Sequence, residues 1–292
     1  MIHKRVTVAH ISDIHLAGKN DRRTISMLGR MLDHFSAIGI DHLVITGDLC
    51  DAATPDDWSV IRNVLKEHGF WSWERTTLLP GNHDLINLEE EMRIYNALNP
   101  FPGSRRKALR ERVAAFCSMF GELMNDDPEI PARFPFVKVL RFSPLNIGFV
   151  AVDSVWPWHR SDNPLGARGL VDPSQLRALS QPEVADALRE SFVIGLCHHA
   201  LKVYGTMSPV DQAFDWTMEL INRNDYVSVM KALHANVVLH GHFHRFQSYE
   251  MEGITVVNGG SFRYLPYRYS EMTIGEGGEF SRQFVDLPPT RK

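Results

Sequence analysis

Leu43-Val44-Ile45-Thr46-Gly47-Asp48-Leu49-Cys50-Asp51 is the stretch on which the fold turns. Its first residues form a short apolar, largely β-branched run, which reads as a strand buried on both faces and therefore as part of a parallel sheet. A glycine and two carboxylates follow at once, so the strand ends in polar groups that are costly to bury unpaired. Working outward, Val6 to Ser12 is another buried strand, closed by Asp13-Ile14-His15, and Thr76 to Leu79 is a third, followed by Gly81-Asn82-His83-Asp84. Between them, Leu28, Met31, Leu32, Phe35 and Ile38 fall at helical spacing over about Thr24 to Ile38. Thr54 is placed to cap a helix that starts at Pro55, with Trp58, Ile61 and Leu65 on its inner face. This strand-helix alternation predicts an α/β domain whose sheet has parallel connections and is covered by helices.

The rhythm breaks over about 85–133. There Leu109, Val113, Phe116, Phe120 and Leu123 share one helical face, beside a basic run of Arg105, Arg106, Lys107, Arg110 and Arg112. This segment reads as a helical cap inserted in one domain that spans 1–292. Strands resume at Phe136 to Phe142 and Leu145 to Asp153. A Trp-, Pro- and Gly-rich loop, Trp156 to Gly169, leads to a short helix capped by Asp172. The Phe192 to Cys197 strand runs into His198-His199, and the Val237 to Leu239 strand into Gly241-His242-Phe243-His244. Hairpin-like strands near Gln247, Ile254, Tyr269 and Glu279 complete the chain.

The 292 residues carry 31 Lys plus Arg against 35 Asp plus Glu, a net charge of −4, with 44% hydrophobic residues. That balance fits a folded globular protein and argues against a disordered chain or a long basic nucleic-acid groove. No apolar run approaches the ~20 residues of a membrane span, and the N-terminus lacks a signal-peptide pattern. Cytoplasm is the expected location. The 3 cysteines exclude a disulfide framework, whereas the 14 histidines are abundant. Cys50 and Cys197 read as small buried residues, and His3, His34, His42, His68 and His234 as structural. His10 and His240 lie within strands beside the motifs, as supports of the site or as packing.

The five motifs stand at the C-terminal ends of expected strands, where open α/β sheets place their sites. Carboxylates, an amide oxygen and imidazoles converging there suit borderline divalent ions. The donors exceed the need of one ion, and a shared carboxylate would hold two, ~3.5–4 Å apart. In this order the motifs resemble the calcineurin-like metallophosphoesterases, whose pattern is D-x-H, G-D-x-x-D, G-N-H-D/E, a lone His and G-H-x-H. The resemblance spans Asp13 to His244 and implies a four-layer α/β/β/α sandwich with the helical insertion as cap.

The resemblance also implies roles. Asp13, His15, Asp48 and His244 hold one ion; Asp48 bridges to a second, completed by Asn82, His198 and His242. The ions would be Mn, Fe or Zn, and a hydroxide bridging them would attack phosphorus. His83 is the general acid or a donor to the phosphate, with Asp51 holding its imidazole. The lone-His motif departs from the family's H-x-P, with Ala200 in place of Pro. That leaves His198, the preferred ligand, against His199.

The expected substrate is a small, nucleotide-like phosphodiester or a phosphoanhydride. His83 and the Val152-Asp153-Ser154 and Arg168-Gly169-Leu170 stretches resemble bacterial cyclic-nucleotide phosphodiesterases. Alternatives are a lipid or lipid-A-precursor pyrophosphatase, with membrane contact through Arg105 to Arg112, and a non-catalytic scaffold of the same fold. The basic run otherwise reads as a solvated face. Trp156 and Trp158 either stack a base or roof the sheet, and Arg245 either contacts phosphate or pairs with a carboxylate.

Overall fold

The computed structural model describes residues 5–52, 54–86, 102–143, 145–202 and 216–289. In chain order the elements are β1 (Arg5–Ile11), α1 (Arg22–Ile38), β2 (His42–Thr46), α2 (Pro55–Glu67), β3 (Thr76–Leu79), α3 (Asn82–Leu85) and α4 (Pro102–Met124). Then come β4 (Phe136–Arg141), β5 (Asn146–Ala151), α5 (Pro173–Leu179), α6 (Pro182–Ala187), β6 (Ser191–Leu196) and α7 (Arg223–Ala232). The last strands are β7 (Ala235–His240), β8 (Phe246–Met251), β9 (Ile254–Gly259), β10 (Arg268–Gly275) and β11 (Phe280–Asp286).

The strands form two sheets, ordered β11-β10-β1-β2-β3 and β4-β5-β6-β7-β9-β8. β1, β2 and β3 run parallel, as do β5, β6, β7 and β9. Strand alternation explains the stacking. Val6, Val8, Val44 and Leu79 turn toward the second sheet and meet Ile147, Phe149, Ile194 and Leu239. Their neighbours Ala9, Ile11, Leu43, Ile45 and Leu78 turn the other way, into a core with the helices. Both faces of β1 to β3 are therefore buried, which is why those strands read as unbroken apolar runs. On the outer face of the second sheet, Val150, Val193, Val238 and Val256 pack with Leu176 and Leu179 of α5 and Tyr226 and Met230 of α7. The result is helices, sheet, sheet, helices.

The helix boundaries follow from capping. Asp21 accepts from the Thr24 N–H at 3.1 Å and Thr54 Oγ1 from the Asp57 N–H at 3.3 Å. α1 ends where Gly39 takes φ 74°, and Ile38 in its last turn, though in phase with the apolar helical spacing, is 47% exposed. Part of the segment expected as a cap, residues 87–101, lies outside the described residues. Within α4, Phe116, Phe120 and Leu123 join the core of the first sheet, with Phe116 edge-on to Trp58 at 5.5 Å. A buried lysine ties this layer to both sheets: Lys138 of β4 donates to Thr76 O, Thr77 Oγ1 and Leu123 O at 2.8, 3.0 and 2.9 Å. Among the described residues, no helix is long and apolar enough to cross a membrane.

Candidate metal centre

The loops leaving β1, β2, β3, β6 and β7 meet at one end of the two sheets. Backbone pairing continues beyond the strands, with the Asp13 N–H donating to Gly47 O at 3.0 Å and His15 N–H to Asp48 O at 2.9 Å. The Gly241 N–H donates to His198 O at 3.0 Å, joining the two loops of the second sheet. The approach is close enough to demand glycine: a Cβ on Gly241 would lie 1.8 Å from Ser12 Oγ and 2.5 Å from Asp13 Oδ2.

Two donor groups result, one of Asp13, His15, Asp48 and His244 and one of Asp48, His198 and His242, each with its atoms within 4.8 Å of one another. Asp48 belongs to both. In the first group, His244 Nε2 lies 3.0 Å from Asp13 Oδ1 and 3.2 Å from His15 Nε2, and His15 Nε2 lies 3.6 Å from Asp48 Oδ2. In the second, His198 Nε2 lies 3.2 Å from Asn82 Oδ1, 3.2 Å from His242 Nδ1 and 3.3 Å from Asp48 Oδ2. Such spacings fit an ion, because two ligands each ~2.0–2.2 Å from a metal at near-tetrahedral angles stand about 3.5 Å apart.

The outward ring nitrogens fit it too. His15 Nδ1 meets Asp51 Oδ1 at 2.9 Å, His198 Nδ1 meets Thr46 O at 2.7 Å and His242 Nε2 meets Ala167 O at 2.7 Å. Each acceptor takes the ring N–H and leaves the other nitrogen's lone pair for the centre, which is how ligating histidines are oriented. His199 is placed differently. Its Nδ1 pairs with Ser154 Oγ at 2.9 Å, and it stands outside both donor groups.

Residues 6–246 match the calcineurin-like phosphoesterase family. The chain belongs to that family. A probable cyclic nucleotide phosphodiesterase of Coxiella burnetii is 31% identical over 87 residues, 28% of this chain and 34% of that protein. The chain thus matches about a third of the length of that curated relative. A dimetal phosphatase from Danio rerio superposes with TM-score 0.57 at 14% identity, covering 97% of this chain and 99% of that one. An anchor protein of the Plasmodium inner membrane complex gives TM-score 0.53 at 10% identity, covering 97% and 84%. These two likenesses show the fold.

The electrostatics of this centre follow from burial and crowding. Burial alone would raise the Asp48 carboxyl, yet the His198, His83 and His15 imidazoles around it hold it well below the ordinary carboxylate range. Burial would lower His198, but Asp48 and Asp13 push it up to about 9. The cluster therefore keeps Asp13 and Asp48 ionised and raises the proton affinity of His15 and His198, whereas burial beside His199 and His198 lowers that of His242. Either protons or a cation can balance the carboxylate charge.

One expected contact is corrected. Asp51, expected to hold the His83 ring, turns its carboxylate to His15 Nδ1 and to Arg263 Nη1, the latter at 2.7 Å. His83 Nδ1 faces the backbone carbonyl of Asp51 instead, at 3.4 Å, and the His83 N–H donates to Asp48 Oδ1 at 2.9 Å. The reason is local: His83 sits in the first turn of α3, where its backbone is drawn to Asp48 and its ring lies edge-on to His15 at 4.8 Å.

Two residues of the centre carried no sequence assignment. Arg263 donates to both His15 O, at 2.6 Å, and Asp51 Oδ2. It follows Gly259-Gly260-Ser261, and that turn is stitched to β1 by the Phe262 N–H on Ser12 O at 2.9 Å. Asp84 accepts from the Leu49, Cys50 and Gly81 N–H groups at 3.1, 3.1 and 2.9 Å, tying the β2 exit to the β3 exit. Burial and the Asp48 charge push its carboxyl up to about 7 against those three donors. Its place in the Gly81 to Asp84 motif was the available signal. Arg263 had none, being one arginine in an ordinary turn.

The other polar candidates find intramolecular partners. The Arg105 and Arg106 guanidinium groups lie over the Trp158 and Trp156 rings, 4.8 and 4.9 Å from their centres. The Arg245 guanidinium lies over Phe243 at 4.8 Å. Cys50 and Cys197 are buried, and burial pushes the Cys197 thiol up to about 12.

Proposed function

We propose that this protein is a binuclear metal-dependent phosphodiesterase whose substrate is a small, nucleotide-like phosphodiester. The observation that carries the reading is the sharing of Asp48 by two complete donor groups. Asp13, His15, Asp48 and His244 would hold one transition-metal ion (Mn, Fe or Zn); Asp48, Asn82, His198 and His242 would hold the other. When bound, such ions activate water and neutralise charge on a phosphoryl group.

The chain's own residues supply the rest. Asp51 and Arg263 orient His15, Thr46 O orients His198 and Ala167 O orients His242. With Nδ1 facing the Asp51 carbonyl, His83 in its doubly protonated form still carries an Nε2–H, which it would give to the leaving-group oxygen as general acid, leaving the neutral Nδ1–H tautomer. The described part of the expected insertion, α4, lies beside the His83 turn, with Arg112 donating to Leu85 O at 2.8 Å. The Coxiella relative supports a nucleotide substrate. The stacking of Arg105 and Arg106 on Trp158 and Trp156 supports an intramolecular role for the basic run over a membrane surface.

Because an anchor protein shares the fold, the fold alone does not separate enzyme from scaffold. Metal content and hydrolysis of bis-p-nitrophenyl phosphate after Mn loading do. About two ions per chain and turnover lost together in Asp48→Ala are expected; inert protein after loading would refute the enzyme reading. His83→Ala should keep its metal and lose ~10²–10⁴ in turnover. A cyclic-nucleotide, nucleotide-sugar and glycerophosphodiester panel then tests the substrate class.

A further inference from the structure

Next to the metal centre, beyond the strand end 152–155, lies a cavity of about 760 Å³ between α4 and the segments at 153–157 and 170–175. We propose that it is a second small-molecule site, separate from the hydrolytic centre, for an amphipathic organic anion with an apolar body and one negatively charged head group. Its size falls within the ~300–1,000 Å³ range of ligand pockets. Leu109 and Val113 of α4 form one wall, and Val155, Trp156 and Leu170 face them.

The charges at the cavity set the sign of the ligand. Arg110 and Arg133 are exposed lining residues with no ion pair to any described residue. Asp172 accepts from the Ser174 N–H and hydroxyl at 2.8 and 2.6 Å and keeps its charge, against which the lining sets the guanidinium groups of Arg106, Arg110 and Arg133. Among the described residues, the Asp153 carboxylate accepts one hydrogen bond, from the Val155 N–H at 2.9 Å. Burial pushes that carboxyl up to about 7, so near neutrality it adds less than a full negative charge. The lining is therefore net positive, and guanidinium forks suit a carboxylate, sulfonate or phosphate head.

The wall between the two sites is one chain segment whose side chains diverge. Asp153 and Val155 line the cavity, while Ser154 Oγ pairs with His199 Nδ1 and accepts from the His198 N–H at 3.2 Å. The cavity is thus backed against the residue that presents His198, and it does not depend on what the metal centre hydrolyses.

The probe is 1-anilinonaphthalene-8-sulfonate, titrated into the metal-loaded protein and read by energy transfer from tryptophan, of which Trp156 lines the cavity. One saturable site is expected. Its affinity should fall about tenfold or more in the Arg110→Ala/Arg133→Ala double variant, which loses two charged contacts at exposed positions, and vanish in Val113→Trp. Decanoate should displace the probe and decylamine should not. Unchanged affinity in the double arginine variant, or decylamine competing as well as decanoate, overturns the proposal. The arginine variant decides even where Val113→Trp misfolds, and bis-p-nitrophenyl phosphate turnover reports the metal centre independently.

Discussion

Replacing Asp51 with alanine separates two accounts of the same carboxylate. In the structure Asp51 acts on His15: Oδ1 takes the Nδ1–H at 2.9 Å, and Oδ2 holds Arg263, which in turn donates to the His15 carbonyl at 2.6 Å. Without Asp51 the ring loses the acceptor that fixes its tautomer, and Nε2 becomes a weaker and less oriented ligand. Loss of such an outer partner lowers metal affinity by ~10–100-fold. The Asp51 side chain is 38% exposed, so solvent screening places the effect near the lower end, about tenfold or ~1.4 kcal/mol. Calorimetric titration of Mn²⁺ into chelator-stripped Asp51→Ala should show one weakened site and one unchanged, the unchanged one being that of His198 and His242. Turnover should return to within a few-fold of wild type at saturating Mn²⁺. If both affinities are unchanged while turnover stays low at saturation, Asp51 works through His83 and the reasoning fails.

Three further substitutions probe the frame. Gly241→Ala puts a methyl 1.8 Å from Ser12 Oγ and 2.5 Å from Asp13 Oδ2; metal binding should drop sharply and urea unfolding should show ~1–3 kcal/mol lost, whereas normal Mn²⁺ affinity would refute the close approach. Gly39→Ala meets nothing within 4 Å, so only its φ of 74° matters, and the expected loss is ~1–2 kcal/mol with metal binding intact. Lys138→Met strips donors from Thr76 O and Leu123 O and should cost ~1–3 kcal/mol in urea unfolding. Burial holds Lys138 well below the ordinary lysine value of 10.5, so the unfolded chain binds its proton more tightly. Its contribution to stability therefore rises as pH climbs toward 10.5, and the methionine variant should lack that slope. A more stable variant at neutral pH would show that desolvation of the amine outweighs its hydrogen bonds.

The parts of the fold legible in the sequence were those with a local physical signature. β3 matches its expected range and β2 takes in the Leu43 to Thr46 run, because an apolar β-branched run bounded by polar turns has few alternatives. α2 begins where Thr54 and Pro55 put it. The motifs at the strand ends are likewise continuous in sequence, so most of the donor set could be named. What was not legible depends on the chain's return. β10 pairs antiparallel with β1 from the far end of the sequence, and nothing in Arg268 to Gly275 says which sheet it joins. Arg263 reaches His15 only because the turn after β9 is pinned on Ser12 and Asp13. The Asp51 correction has the same origin: the family resemblance paired Asp51 with His83, and only the folded loops bring His15 to its carboxylate.

Backbone conformation explains why these donors converge at all. Asp13, His15, Asp48, His242 and His244 have φ of 55°, 50°, 50°, 70° and 51°, in the left-handed region that non-glycine residues avoid. Asp and His tolerate this region better than bulkier side chains, so ~1–2 kcal/mol each is an upper bound and the strain is at most about 5–10 kcal/mol. It persists because neighbouring backbone over-determines it, through Asp13 N–H on Gly47 O, His15 N–H on Asp48 O and Arg263 N–H on Asp13 O. An extended strand would hold Asp13 and His15 about 7 Å apart on one face. Left-handed residues at both positions curl the chain until Asp13 Oδ1 and His15 Nε2 lie 3.8 Å apart. The same bend in His242-Phe243-His244 sends its two imidazoles to different donor groups. The strain is thus inseparable from the ligand set: the backbone bonds hold it in place, and cations bound between these carboxylates and imidazoles would offset a further part of it.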